Sequence, residues 1–503
     1  MVQDSESKLM KIKNSPENRA KCHCKLCPSY PYKCGGEVLY CGKGPSKCDV
    51  DVEVCICDTC PIYFEYDLKG IYFCDKDMIG ENKVFMRKKR SNEEDDRYQS
   101  VVDIKDQSAV GKSVVGSMGS LKKLPFSLDD LFFLPAQLKR IPLNSTDPVH
   151  TGVVIGEDAK KPLELACPIM ISGLSFGAVS KATKTVISRT AQDLSVGFNS
   201  GEGGVLEEEL TRSGTMVVQY STGRFGVDEQ ILKNAAAIEI RFGQGAYPGK
   251  GSYLPAEKMS DEVSAKRNLD HGEPAYSPAH HPDILTPRDL KKKILKLRRI
   301  SSGAPIGAKI GCGNVEEDVK ILAESEVDFI ALDGFGGGTG ATDKYVRENV
   351  GIPIYSALPR ANKTLNELRS KRKISIIGSG GLRNSADFAK CLALGADAVY
   401  IGTAALIAIN CEQYRLCYTG NCPTGIATQN PKLEKQIDVD ESVLKLSNFI
   451  KLSTEEIANL TRITGKNNVS KLDRSDLVSV NRDLAAITGV KWINGEFQTD
   501  DFL

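Results

Sequence analysis

From about residue 166 onward, short apolar runs recur between glycine-rich loops and amphipathic stretches. Eight can be read: CPIMI (167–171), LSVGF (194–198), TMVVQ (215–219), AIEIR (237–241), PIGAKI (305–310), VDFIAL (327–332), ISIIG (374–378) and AVYIG (398–402). Each is nearly continuous in apolar residues rather than alternating, the pattern of a strand covered on both faces in a parallel sheet. Between them, segments such as VSKATKTVISRTAQ (179–192) and ADFAKCLALG (386–395) carry apolar residues at a 3.6-residue period. Eight strand–helix units over about 240 residues predict an α/β fold, a (β/α)8 TIM barrel. A doubly wound sheet satisfies the same alternation. After Pro431 the pattern is of helices with turn signals such as Gly465-Lys-Asn-Asn468, a helical C-terminal extension over 431–503.

The composition fits this picture and narrows the class. The 503 residues are 41% hydrophobic and 26% charged, enough for several domains and a large core. Lys plus Arg number 66 against 65 Asp plus Glu, so the chain has no global basic field suited to nucleic acid. No apolar run approaches eighteen residues, and the start MVQDSESKLMKIKNSPENRAKC has no apolar signal core. The expectation is a cytoplasmic enzyme or electron carrier with no membrane span. Residues 77–123 hold the charge run Arg87-Lys-Lys-Arg90 and the Gly/Ser-rich VGKSVVGSMGS, which read as a linker. A packed barrel domain then spans 124–430, opening with LPFSLDDLFFLPAQL.

Cysteine changes the picture. Ten of the sixteen lie between Cys22 and Cys74, and without a secretory signal such a cluster reads as metal or cluster ligands rather than disulfides. Cys22-His-Cys24-Lys-Leu-Cys27-Pro-Ser-Tyr30 returns 33 residues later as Cys55-Ile-Cys57-Asp-Thr-Cys60-Pro-Ile-Tyr63, and the same offset carries Cys41 onto Cys74. Each copy reads C-x-C-x2-C-P-x-Y-x10-C, four thiolates per copy, in a module over 20–76; Cys34 and Cys48 have no counterparts. Copies too short to bury cores of their own call for an inorganic centre in each. Four thiolates suit tetrahedral zinc, and equally an iron–sulfur cubane, where Pro after a ligand Cys is frequent.

The loops after the apolar runs hold the remaining candidate chemistry. Ser379-Gly380-Gly381 follows the seventh run and Gly402-Thr403 the eighth, where barrel enzymes bind phosphate on backbone N–H groups. No G-x-G-x-x-G opens a helix, so the phosphate expected is that of flavin mononucleotide (FMN) rather than a dinucleotide. Further glycines and polar groups fall at the same predicted rim: Ser172 to Ala178, Asn199 to Gly204, Gln219, and Asp333 to Gly340. Lys309 ends an apolar strand, where a lysine needs a partner and can stabilise a reduced, anionic flavin. Cys411-x5-Cys417-x4-Cys422-Pro423 lies just past the eighth run and suits a three-iron cluster, or zinc with an external fourth ligand.

FLPAQL (133–138), SFGA (175–178), NSGEGG (199–204), GRFG (223–226), QGAYPG (244–249), GGTG (337–340), GSGGL (378–382) and C-x5-C-x4-CPTGIATQ (411–429) resemble, in order, the flavin domain of glutamate synthase. The resemblance covers about residues 125–490. It implies a (β/α)8 barrel with FMN and a 3Fe–4S cluster on Cys411, Cys417 and Cys422. Electrons then pass from cluster to FMN and, as hydride, to the imine of 2-oxoglutarate and ammonia. Matched by position, the flavin would meet Ser175, Phe176, Gly177, Ala178, Asn199, Gln219, Lys309, Gly336, Gly337, Gly338, Thr339, Gly380, Gly381, Gly402 and Thr403. Glu202 falls in the slot of a glutamate near the flavin, a candidate for proton handling, and Lys309 is the second catalytic candidate.

The departures bear on substrate. The family's pattern is QGAKPG with a Gln or His six residues after that Lys; here Gln244 is kept and Tyr247 and Tyr253 fill the other slots. Arg267 is kept, and Arg241 stands in the slot of a lysine. Replacing an ammonium by a phenol removes a charge-assisted bond of roughly 1.5–3 kcal/mol, so the oxo acid is a different one or is held differently. The chain starts Met1-Val-Gln, without the N-terminal cysteine of an amidotransferase, so free ammonia or a separate amidotransferase subunit would supply nitrogen. With no nicotinamide domain, a ferredoxin-like or flavin-containing partner would supply electrons. The doubled Cys module resembles a small domain of unknown function found in methanogen proteins. As an electron entry point it reads as two 4Fe–4S clusters, with zinc as the alternative. Two other functions fit the same resemblance: the FMN/iron–sulfur component of N-methylglutamate synthesis, and a non-catalytic electron-transfer subunit of a larger redox complex.

Overall fold

Each of the eight apolar runs becomes a barrel strand in the computed structural model, which describes residues 12–495 except 53–54, 69, 77–80, 83–102, 106, 110, 271 and 369–371. The strands are β1 (Ile169–Ile171), β2 (Phe198–Asn199), β3 (Met216–Tyr220), β4 (Ala237–Arg241), β5 (Ile306–Gly311), β6 (Phe329–Asp333), β7 (Ser375–Ser379) and β8 (Ala398–Ile401). All neighbours are parallel and in chain order, and Val399 of β8 pairs with Ile169 of β1 to close the ring. Burial of nearly every strand residue explains the continuous apolar runs: one face packs the barrel interior, the other the helices. The pattern alone allowed a doubly wound sheet; closure of the ring decides for the barrel.

The main helices are α1 (Lys181–Leu194), α2 (Pro287–Ile300), α3 (Val315–Glu324), α4 (Ile354–Leu368), α5 (Ser385–Ala393), α6 (Thr403–Ala408) and α7 (Val439–Ile463). Their starts follow local chemistry. Ser180 caps α1, and Thr286 with Asp289 forms a reciprocal capping box ahead of Pro287 in α2. The 25-residue α7 packs on α1 and α5, so the C-terminal extension belongs to the barrel wall. It also returns Leu477–Ser479 to pair antiparallel with Leu131–Phe133.

The chain divides into two compact units, Met1–Lys112 and Ser113–Leu503. The linker expected over 77–123 therefore ends earlier. Val115–Gly116 pairs with Thr342–Asp343, the Met118 N–H donates to the Thr339 carbonyl at 2.7 Å, and the Ser117 hydroxyl donates to that of Gly340 at 2.8 Å. The glycines that suggested a linker serve close packing instead: a Cβ on Gly119 would stand 2.3 Å from the Gly336 carbonyl oxygen. The charge run Arg87–Arg90 lies outside the described residues.

The first unit has its own core, in which Leu39, Tyr40, Ile62, Tyr72 and Phe73 are almost fully buried. The two cysteine repeats fold alike. Cys24–Leu26 and Cys57–Thr59 each make one 3₁₀ turn and lead into Cys27 and Cys60 with nearly equal torsions, φ/ψ −78/132 and −77/132. The eight repeat cysteines are free thiols, whereas Cys48 is held in a disulfide. Among the described residues no helix is long and apolar enough to cross a membrane.

Candidate cofactor and substrate site

The interior of the barrel turns polar toward the C-terminal ends of its strands. Parallel register sets Glu239 of β4 beside Gln219 of β3, and Arg241 beside Lys309 of β5. The Glu239 carboxylate accepts from the Asn199 amide at 2.8 Å and the Gln219 amide at 3.0 Å, and the same Asn199 amide reaches the Tyr400 hydroxyl at 3.3 Å. This girdle fixes the floor of the site, because a buried carboxylate persists only where donors surround it.

Above it opens a cavity of about 480 Å³, within the range of small-molecule sites. Three groups of residues meet there. The glycine loops Gly336–Thr339, Gly380–Gly381 and Gly402–Thr403 form one wall, with Ser175 and Ala178 from the loop after β1. Gly380 has φ +113°, and a Cβ on it would stand 2.5 Å from the Gly334 carbonyl oxygen, so only glycine fits this turn. Glu202, Arg241, Gln244, Tyr247, Tyr253 and Arg267 make a second wall. Cys411, Cys417 and Cys422 make the third, and no other cysteine among the described residues lines the cavity.

Phe176, Gly177 and Asn199 do not line it. Phe176 packs in an apolar cluster with Leu206, Leu254 and Val263, and its carbonyl accepts from Arg267 at 2.9 Å. The Gly177 carbonyl accepts from Gln429 at 3.3 Å. Asn199 sits one layer down, in the girdle. All three hold the residues that face the ligand space.

The charges are arranged in pairs. Lys309 stands 3.1 Å from Asp333 and donates to the Ser172 hydroxyl at 3.4 Å, which supplies the partner its buried position requires. The Glu202 carboxylate accepts from Arg241 at 3.0 Å, Ser221 at 2.8 Å, Ser277 at 2.5 Å and Ser252. Burial opposes its ionisation, but Arg241 and the three hydroxyls outweigh burial and hold the carboxyl at about 2. Glu202 is thus an ionised anchor near neutral pH, with no proton to donate. Arg241 also donates to the Tyr247 hydroxyl at 2.9 Å, and burial pushes that phenol up to about 12, so it keeps its proton. Arg267 bonds backbone carbonyls, those of Phe176 and of Glu202 at 3.4 Å; burial, with Arg241 nearby, draws it down to about 10.

Several residues here escaped the sequence reading. Lys258 is buried and donates to the Ala178 carbonyl at 2.6 Å and the Cys417 carbonyl at 2.9 Å, tying the loop after β1 to the three-cysteine loop. Met118, Gly119 and Ser120 line the cavity from the stretch read as linker. Glu239 carried a visible signal, a carboxylate inside the apolar run AIEIR.

The site fits the groups the sequence suggested. A glycine wall lets backbone approach a flat ring and a phosphate, Lys309 adds a cation, and the buried Asp333 Oδ1, without a hydrogen-bond partner among the described residues, is an acceptor left for a ligand N–H. The three thiols face the same cavity, and among the described residues no group of three His, Cys, Asp or Glu side chains stands in metal-holding geometry.

Residues 99–467 match the conserved region in glutamate synthase, and residues 22–75 match DUF2769, a family of unknown function. The glutamate synthase large subunit-like protein of Rhizobium meliloti (strain 1021) is 38% identical over 421 residues, covering 79% of this chain and 95% of its own. The archaeal glutamate synthase (NADPH) of Methanocaldococcus jannaschii is 35% identical over 423 residues, covering 78% of this chain and 83% of its own. The chain therefore belongs to the glutamate synthase family.

Proposed function

We propose that this glutamate synthase-like oxidoreductase reduces an imino acid formed from ammonia and a 2-oxo acid, 2-oxoglutarate being the first to test, using FMN and a 3Fe–4S cluster. The observation that carries the reading is that the glycine loops and the three thiols open on one cavity. When bound, FMN supplies hydride chemistry and the cluster one-electron chemistry. The chain's own residues have distinct tasks. Backbone N–H groups of the Gly380–Gly381 and Gly402–Thr403 loops would hold the phosphate, and Lys309 the ring. Cys411, Cys417 and Cys422 would hold the cluster. Arg241 is paired with Glu202 and Lys309 with Asp333, whereas Arg267 bonds backbone carbonyls and keeps a buried Nε without a hydrogen-bond partner among the described residues, which makes it the candidate for a substrate carboxylate. The Tyr247 phenol, protonated and oriented by Arg241, is a donor for the second polar end of the oxo acid. A ferredoxin-like or flavin-containing donor would supply electrons, and free ammonia or a separate amidotransferase subunit the nitrogen.

The test is anaerobic turnover of the purified protein with reduced ferredoxin, ammonium and 2-oxoglutarate. The expected result is a flavin spectrum that bleaches on reduction and recovers as glutamate forms. Bleaching without glutamate rejects this substrate and keeps the class; methylamine transfer to glutamate would instead support the N-methylglutamate reading.

A further inference from the structure

Each charged side chain that lines the barrel cavity among the described residues belongs to one of its three walls. On the glycine-loop wall, Arg383 is held by Asp129 at 2.7 Å and Asp387 at 2.9 Å, and Lys309 by Asp333 at 3.1 Å. Beside the three-cysteine loop, Arg415 donates to the Ser117 carbonyl at 3.2 Å and the Gly119 carbonyl at 3.0 Å. Lys258 donates there to the carbonyls of Ala178 and Cys417. The remaining wall keeps Glu202, Arg241 and Arg267. Glu202 and Arg241 are bonded to each other, so this wall carries a single positive charge, on Arg267, whose Nε is buried without a hydrogen-bond partner among the described residues.

The neutral groups of the same wall do not add a second anion site. The Ser221, Ser252 and Ser277 hydroxyls all turn to Glu202. Tyr247 keeps its proton and accepts from Arg241, which leaves it one O–H to offer. One O–H suits a neutral oxygen, whereas a buried carboxylate needs a cation or several donors. A second carboxylate would also face ionised Glu202, and like charges repel strongly in a buried site. The rest of the wall is apolar. Antiparallel pairing of Tyr253–Leu254 with Ala275–Tyr276 sets Tyr253 opposite Tyr276, and their rings stack with centroids 5.0 Å apart. Leu254 and Pro255 continue this surface along the cavity, and Leu254 is backed by Phe176 and Val263. A cross-strand aromatic pair on a packed base presents a fixed apolar face.

We infer that the acid taken by this site is a monocarboxylic 2-oxo acid with a neutral, chiefly apolar side chain, its carboxylate on Arg267 and its side chain against Tyr253, Leu254 and Pro255. A dicarboxylate such as 2-oxoglutarate is the poorer ligand. The inference rests on the reading of the cavity as a site for a 2-oxo acid and narrows which acid it is. Tyr247 is the residue that discriminates, because it stands beside Arg241 where an ammonium would give the wall a second positive charge.

Equilibrium binding to the flavin-loaded full chain, without ammonia or reductant, separates the classes. Isothermal titration should find 4-methyl-2-oxopentanoate or phenylpyruvate bound about 10-fold or more tightly than 2-oxoglutarate, the value of one charge-assisted bond. Tyr247→Lys should reverse that order, and anaerobic turnover of the unsubstituted protein with ammonium and reduced ferredoxin should favour the same acids as binding does. Binding of 2-oxoglutarate as tightly as the monocarboxylates, or more so, overturns the inference and leaves the 2-oxo acid reading in place. If a holoprotein with reducible flavin binds none of these acids, that reading falls and the inference with it. A folded Tyr247→Lys variant that keeps the parent's order overturns the discriminating role of Tyr247. Should the variant not fold, the order of binding constants in the unsubstituted protein decides alone.

Discussion

Four donors converge on Glu202 from three separate stretches of chain: Ser221 just past β3, Arg241 at the end of β4, and Ser252 and Ser277 from the segment before α2. The carboxyl sits at about 2 against an ordinary 4.5, which is worth about 3 kcal/mol of stability for so buried a group. Because its value is lowered on folding, that contribution is complete above about pH 4.5 and drains away as the pH falls toward 2. Glu202→Gln should therefore lose about 3 kcal/mol in denaturant titrations at pH 7, and the gap to the parent should narrow to less than half by pH 3 and close only as the pH approaches 2; a gap that stays constant with pH refutes the pairing. Arg267 carries a different expectation. Arg267→Gln should raise KM for the oxo acid roughly 10- to 100-fold, the value of a hydrogen bond to a charged group, while reduction of the flavin by dithionite is unaffected. Residues of these two kinds were unequally visible in the chain. Lys309 and Arg241 stand out because a cation at the end of an apolar strand breaks the pattern. Ser221, Ser252 and Ser277 look like any loop serine, and only tertiary placement turns them toward one carboxylate.

At the scale of elements, the barrel strands were the most legible feature, because burial on both faces leaves so little room for polar residues that each strand announces itself. The loops were legible where they needed glycine. Gly380, with its positive φ and a backbone carbonyl where a Cβ would go, should not tolerate even alanine; strain of this kind costs about 1–3 kcal/mol. Gly380→Ala should weaken FMN binding roughly 10- to 100-fold, measured by flavin fluorescence on reconstitution, with far-UV circular dichroism retained. Unchanged affinity would remove this loop from the phosphate site. The stretch from Ser113 to Lys123 misled for the same physical reason: glycine and serine mark both a solvated linker and a backbone pressed against another backbone, and composition does not separate them. The repeat in the cysteine module was obvious at its offset of 33, but that the copies interlock, with the His23 N–H donating to the Cys60 thiol, depends on how they fold together, and spacing carries no record of that.

Among the described residues the two largest cores have no residue in common, one running from Ile12 to Cys74 and the other beginning at Leu128. Their means of support differ. The barrel core is large and apolar, drawn from all eight strands and the helices around them, and needs no ion to pay its conformational entropy. The smaller core, built of tyrosines, a few aliphatic side chains and the thiols themselves, lies below the size at which apolar burial alone holds a domain. Disrupting the small core should thus unfold one unit and leave the other. Ile62→Asp, which puts a charge at a fully buried position of that core, should raise amide exchange across the described residues of the first unit to the rate of an unfolded chain, while β1 to β8 stay protected and the flavin stays bound. The shortened chain 113–503 should correspondingly fold and take up one FMN. If the substitution instead melts the barrel, or if the shortened chain cannot hold flavin, then the small unit is part of the barrel's own stability rather than a separately supported module, and the division into two independent cores fails.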